Sequence, residues 1–163
     1  MADLPAFAQS LVSCGLAGAF LVASIEKLLP VIPSIGLYLI LGILSDGRPA
    51  AFLALILVTA MGSTIGSLCW FGIARAAGTY GWHERRHRLL ERYARSARPV
   101  TGLAGTTVAG VIAVQLLPVA RAYTGLLYGS SSVGVTRFAL STFAGCCVWN
   151  GVLTSVGRII GTL

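Results

Sequence analysis

The tetrapeptide Leu28-Leu29-Pro30-Val31 returns as Leu116-Leu117-Pro118-Val119, and each copy is followed by a second shared pattern. Gly66-x3-Trp70-x-Gly72-x5-Gly78 comes back with identical spacing as Gly145-x3-Trp149-x-Gly151-x5-Gly157. A chain written twice in this order is constrained to fold as two related halves. Each tetrapeptide sets a proline in apolar sequence beside a charge, with Glu26 before the first and Arg121 after the second. Paired, Pro-interrupted apolar segments mark a midplane binding site in membrane proteins built from repeats.

Composition names the solvent. Of 163 residues, 56% are hydrophobic and only 10% charged, against about a quarter charged in a soluble domain. Uncharged runs cover 4–25, 28–45, 49–74, 99–120, 122–136 and 138–157. A helix needs about 20 apolar residues to span the hydrocarbon core. Runs 4–25, 49–74, 99–120 and 138–157 meet that length; 28–45 is marginal and 122–136 too short. These features predict an all-α integral membrane protein of one domain, residues 1–163. The N-terminus lacks the basic region and cleavage site of a signal peptide, so its apolar run is expected to stay in the protein. Cys14, Cys69, Cys146 and Cys147 lie in apolar runs without CxxC spacing and read as packing residues. A redox pair at Cys146-Cys147 is the alternative.

The net charge of +7 is concentrated. Residues 79–98 hold Arg85, Arg86, Arg88, Arg92, Arg95 and Arg98 against Glu84 and Glu91; six minus two gives +4. Short Lys- and Arg-rich loops stay cytoplasmic, which orients the chain with this connection inside and puts Arg75 and Arg137 near that face. Arg85, Arg88, Arg92 and Arg95 recur at helical spacing, consistent with a surface helix on anionic lipid or a solvated linker. No nucleic-acid recognition module is present.

The connection separates repeat one, about 4–78, from repeat two, about 99–161. Repeat one reads as helix 4–25, broken segment 26–45 and helix 49–77. Repeat two reads as helix 99–116, broken segment 117–131 and helix 135–161. Pro30, Pro33 and Gly36, then Pro118, Gly125 and Gly129, leave backbone groups without helical partners. Lipid cannot satisfy them, and irregular backbone at membrane depth survives only inside protein or beside a wet cavity. The two segments are therefore expected to be re-entrant hairpins facing each other. Gly62-x3-Gly66, Gly125-x3-Gly129 and Gly157-x3-Gly161 predict close helix contacts. Trp70 and Trp149 are expected to fill the repeat rather than anchor an interface.

A charge at bilayer depth costs about 2.5–3.5 kcal/mol on insertion scales unless paired or hydrated, so Glu26 and Arg121 are the leading functional candidates. Two other readings compete: a salt bridge that merely ties the repeats together, and a shallow Glu26 beside a Lys27 that snorkels to an interface. The ordered set Glu26-x3-Pro30-x2-Pro33-Ser34, Pro118-x2-Arg121-x3-Gly125, then Phe138, Gly145 and Trp149, resembles the DedA family, also called the VTT or SNARE-associated domain family, over about residues 15–161. That resemblance implies an inverted repeat of two re-entrant hairpins plus transmembrane helices. It also implies movement of a lipid phosphate, undecaprenyl phosphate or phospholipid, between leaflets of the bacterial plasma membrane, with proton coupling. Two positions depart from it: Ile35 stands where many relatives carry an acid, and Gln115 where many carry arginine. The substrate site then expected comprises Arg121 as phosphate ligand, supported by Gln115 and Tyr123, with Glu26 its partner and Pro30, Pro33, Pro118 and Gly125 shaping the backbone.

His83-Glu84-Arg85-Arg86-His87 is an HExxH string, which on a helix can hold zinc. Two arginines inside it oppose a dication, and Glu91 would lie about 12 Å along the helix from His83. A zinc protease is thus a remote alternative. No phosphate loop, nucleophile elbow or hydrolytic carboxylate pair is present, so neither enzyme chemistry, a metal nor a cofactor is expected. The competing class is a non-transporting structural or envelope-maintenance protein.

Overall fold

The computed structural model describes residues 15–29, 34–45, 48–79, 107–118 and 120–163. All regular elements among them are helices: α1 (Gly15–Leu28), α2 (Ser34–Ile43), α3 (Pro49–Thr79), α4 (Val108–Gln115), a 3-10 turn (Ala120–Tyr123), α5 (Thr124–Gly129) and α6 (Val135–Gly161). The helices expected over 49–77 and 135–161 are present at nearly those bounds. Both are long and apolar enough to cross a membrane, and α2 is a shorter apolar helix. One boundary moves. Glu26 and Lys27, expected at the start of the broken segment, lie inside the last turn of α1, because nothing before Pro30 interrupts the helical hydrogen bonds: Leu29 N–H still donates to Ile25 O at 2.8 Å.

The chain divides into two units, residues 1–66 with 146–163, and residues 67–145. Each long helix therefore serves both, α3 changing unit after Gly66 and α6 after Gly145. In the first unit Ala19, Val22, Leu37, Tyr38 and Leu41 form the core, with Leu55, Trp149 and Leu153 packed on it. Backbones meet at glycines. A Cβ on Gly62 would strike the Phe20 carbonyl, and one on Gly157 would strike the Leu39 carbonyl. The glycine pairs are packing ridges, as expected, and the Trp149 ring fills the core rather than anchoring an interface.

In the second unit the core is Phe71, Val111, Val114, Tyr128, Val133 and Phe138. Phe71 and Phe138 stack with centroids 4.5 Å apart, and Tyr128 tilts against Phe138 at 6.1 Å. Gly125 and Gly129 let α5 lie against the backbone of α3 at Ser67 and Phe71. Arg75 closes the end of α5. Its Nε donates to Gly129 O at 3.2 Å, and its Nη2 donates to Ser131 O at 3.0 Å and Val133 O at 2.7 Å. The guanidinium also lies 4.4 Å over the Phe71 ring. These bonds satisfy carbonyls that a helix end leaves without partners.

Polarity runs opposite to that of a water-soluble domain. Leu53, Leu57, Met61, Ile65 and Ile73 form an exposed apolar row along α3, and Leu140, Val148, Val152 and Val156 a second along α6. Residues four apart are neighbours on the helix surface, and the rows wind slowly round their helices. Meanwhile Glu26, Lys27, Ser63, Gln115, Arg121, Thr142 and Asn150 are buried, residue types that water-soluble cores largely exclude. Apolar outside and polar inside is the arrangement hydrocarbon requires.

Candidate functional site

Two polar interiors result, one in each unit. In the first, the last turn of α1 delivers Glu26, 5% exposed, and Lys27, 1% exposed. The Glu26 carboxylate accepts a long 3.4 Å contact from the Tyr38 hydroxyl of α2. That hydroxyl also shares a 2.9 Å hydrogen bond with Ser63 Oγ of α3. Adjacent helical positions point about 100° apart, and Lys27 turns instead toward α3, where a Cβ on Gly66 would lie 2.6 Å from Lys27 Cβ. The near-complete burial of Lys27 speaks against the alternative in which it snorkels to an interface. Farther along α3 and α6, Asn150 Nδ2 donates to Thr59 Oγ1 at 3.3 Å.

In the second unit α4 starts at Thr107, whose Oγ1 accepts the Gly110 N–H at 3.2 Å, an N-cap. Its far end tightens before Pro118: the Leu116 N–H is shared by Ile112 O and Ala113 O, and the Leu117 N–H reaches Val114 O at 3.2 Å. Such i to i−3 bonding marks a helix being ended. Gln115, fully buried, is the last α4 residue. After the proline the Arg121 N–H donates to Leu117 O at 3.0 Å, and Thr124 Oγ1 donates to Arg121 O at 2.8 Å. The backbone around Arg121 is thereby fixed, and its side chain is 1% exposed.

The sequence-predicted residues separate accordingly. Gln115, Arg121 and Gly125 are buried in the second unit, Tyr123 is half-buried, and Pro118 is exposed at the break. Glu26 is buried in the first unit. Pro30, Pro33, the HExxH string, Cys14 and the basic connection lie outside the described residues. Among the described residues Cys69, Cys146 and Cys147 stand outside any disulfide, the vicinal pair included.

Sequence reasoning missed Lys27, Tyr38, Ser63, Ser141 and Thr142. The repeat held part of the signal. Lys27 and Gln115 both stand immediately before Leu-Leu-Pro-Val, and Ser63 and Thr142 both stand three residues before the repeated glycine. The packing agrees within each unit: a Cβ on Gly145 would lie 2.7 Å from Gln115 Cβ, as one on Gly66 would lie 2.6 Å from Lys27 Cβ. Ser141 and Thr142 differ from other helical hydroxyls in this chain. Ser24, Thr59, Thr64 and Thr154 each donate to the carbonyl four residues back, at 2.6–2.9 Å. The buried Ser141 and Thr142 hydroxyls make no such bond.

Exposed apolar rows around buried charges define, among the described residues, an all-helical membrane protein with a polar interior. The VTT-domain model matches residues 32–159, and the chain belongs to that family, the DedA family. The chain is also 24% identical over 154 residues to undecaprenyl phosphate transporter A of Staphylococcus aureus (strain NCTC 8325 / PS 47), covering 90% of this chain and 74% of that protein. No solved structure matches significantly.

Proposed function

We propose that this protein carries a lipid phosphate, undecaprenyl phosphate or a phospholipid, between the leaflets of a bacterial plasma membrane. The observation that carries the reading is the Arg121 guanidinium, 1% exposed and set on a proline-broken turn. A guanidinium stays charged and forks onto two phosphate oxygens, and a charge inside a membrane protein is a functional candidate by default. The staphylococcal relative, named for undecaprenyl phosphate transport, supports the same substrate class.

In this mechanism Arg121 captures the phosphate, and Gln115 and Tyr123 add donors. The hydrocarbon tail stays in lipid while the headgroup crosses. Glu26 serves as the counter-charge that yields when the headgroup arrives, with protonation releasing it; its partnership with Arg121 rests on sequence reasoning. The Pro-broken segments form re-entrant hairpins of an inverted repeat, a reading supported by the matched packing of Lys27 on Gly66 and Gln115 on Gly145. The connection 79–98 lies on the cytoplasmic side, where Arg85, Arg86, Arg88, Arg92 and Arg95 meet anionic lipid.

The test is translocation of a fluorescent polyprenyl phosphate in proteoliposomes. Wild-type protein accelerates it, and Arg121→Ala removes the acceleration while the variant remains folded in detergent. Equal rates with and without wild-type protein would leave a structural, non-transporting role.

A further inference from the structure

We propose that Ser141 and Thr142 of α6 donate hydroxyl hydrogen bonds to the transported phosphate, as ligands from within the second unit. The inference rests on the transport reading for its ligand and adds two residues which that reading does not use. Both side chains are buried, at 2% and 0% exposure, and neither hydroxyl makes a hydrogen bond. A helical serine or threonine has a partner within reach, the carbonyl three or four residues back. Ser24, Thr59, Thr64 and Thr154 all take it. A buried hydroxyl that forgoes that bond bears its desolvation uncompensated. What compensates it is a ligand, an ion or water.

The repeat supplies an internal comparison. Ser63 and Thr142 each stand three residues before a matched glycine, Gly66 or Gly145. Ser63 Oγ shares its 2.9 Å bond with the Tyr38 hydroxyl, whereas Thr142 Oγ1 has no equivalent bond. Four residues before those glycines, repeat one has Gly62, whose missing Cβ admits the Phe20 carbonyl, and repeat two has Ser141. Repeat two thus carries two hydroxyls where repeat one has one engaged hydroxyl and a packing glycine.

Their surroundings are bracketed along α6. Phe138, Ser141, Thr142 and Gly145 recur at i, i+3, i+4 and i+7, which is one face of a helix. At one end of that stripe Phe138 stacks on Phe71 and meets Tyr128, whose buried hydroxyl also makes no hydrogen bond. At the other end a Cβ on Gly145 would lie 2.7 Å from Gln115 Cβ and 3.0 Å from its Cγ. The two hydroxyls lie between. Arg121 belongs to the same unit: its 3-10 turn contacts α4 and α5, and the adjoining Ala120 packs on the cluster of Phe138 and Tyr128. A phosphate has several strong acceptor oxygens. Hydroxyls supply donors to them without adding a further charge to bury.

The experiment compares wild type, Ser141→Ala, Thr142→Val, Thr142→Ser and the double variant Ser141→Ala/Thr142→Val. Thr64→Val, at a buried hydroxyl that bonds its own helix, is the control. Apparent affinity for a short-chain polyprenyl phosphate is read from the ligand-dependent rise in unfolding temperature of detergent-purified protein. The matching polyprenol, which lacks the phosphate, is run beside it. Losing one bond to a charged phosphate weakens affinity about tenfold to a hundredfold in Thr142→Val and in Ser141→Ala. Thr142→Ser stays within a few-fold of wild type, although it loses the methyl that valine keeps. The double variant is weaker than either single one, Thr64→Val matches wild type, and polyprenol binding is the same in all. Should Thr142→Val fail to fold, Ser141→Ala carries the same test.

Wild-type phosphate affinity in the folded double variant overturns the inference and leaves the hydroxyls bonded to internal water. A loss as large in Thr142→Ser as in Thr142→Val, or an equal loss toward polyprenol, also overturns it, because packing then explains the effect. Translocation by wild type with silent hydroxyl variants sinks the two ligands and leaves the transport reading intact. Hydroxyl-dependent binding without translocation does the reverse.

Discussion

Replacing Gly66 by alanine tests the packing of α1 on α3 that buries Lys27. Two terms oppose each other. Alanine inside a helix gains about 1 kcal/mol over glycine. The added methyl, however, would sit 2.6 Å from Lys27 Cβ and 2.7 Å from the Ser24 carbonyl oxygen. Neither atom is the far end of a flexible side chain, so α1 has to move bodily. Overpacking of that kind costs about 1–3 kcal/mol, and contacts this close to main chain place it at the upper end. The net is a loss of about 2 kcal/mol, or roughly 4–8 °C at about 2–4 °C per kcal/mol for a chain of this size. Gly72 provides the internal control. It lies on the same helix and in the same repeated motif, yet a Cβ there meets nothing within 4 Å. Gly72→Ala therefore keeps only the propensity gain and raises the unfolding temperature by a few degrees. Thermal unfolding of the purified protein in detergent, followed by tryptophan fluorescence, reads both variants. A Gly66→Ala protein as stable as Gly72→Ala would refute backbone contact between α1 and α3, and with it the seating of Lys27.

Arg75→Ala removes three charge-assisted bonds to the carbonyls of Gly129, Ser131 and Val133; a half-buried cluster of this kind is worth about 2–3 kcal/mol in unfolding experiments. Arg75→Lys recovers only part, because an ammonium cannot reproduce the fork. Thr142→Val replaces a buried hydroxyl that makes no hydrogen bond with an isosteric methyl, so unfolding temperature holds or rises; a clear fall would show that the hydroxyl has a structural partner. Arg121→Ala completes the set, with loss of translocation as its measurement.

The long uncharged runs made the long helices legible without coordinates, and the ordered set around Glu26, Pro118 and Arg121 made the family legible. They suffice because a lipid solvent leaves few solutions: apolar stretches of spanning length become helices, and a proline inside one forces a break. Hence Pro118 marked the turn that carries Arg121, and the bounds of α6 were readable from sequence alone. Glu26 and Arg121 also stood out, since a charge among uncharged runs is conspicuous in one dimension.

Lys27 was not legible in that way. Beside Glu26 and near a run's end it read as a side chain free to reach an interface, and only the approach of α1 to α3 at Gly66 buries it. Gly66 and Gly72 look interchangeable in the motif, yet one meets a neighbouring helix and the other meets nothing. Local sequence sets helix period and helix ends through backbone hydrogen bonding, which is short-range. Which face becomes interior depends on the neighbouring helix's distance, set by side chains and carbonyls far away in the chain, and that only the tertiary structure decided.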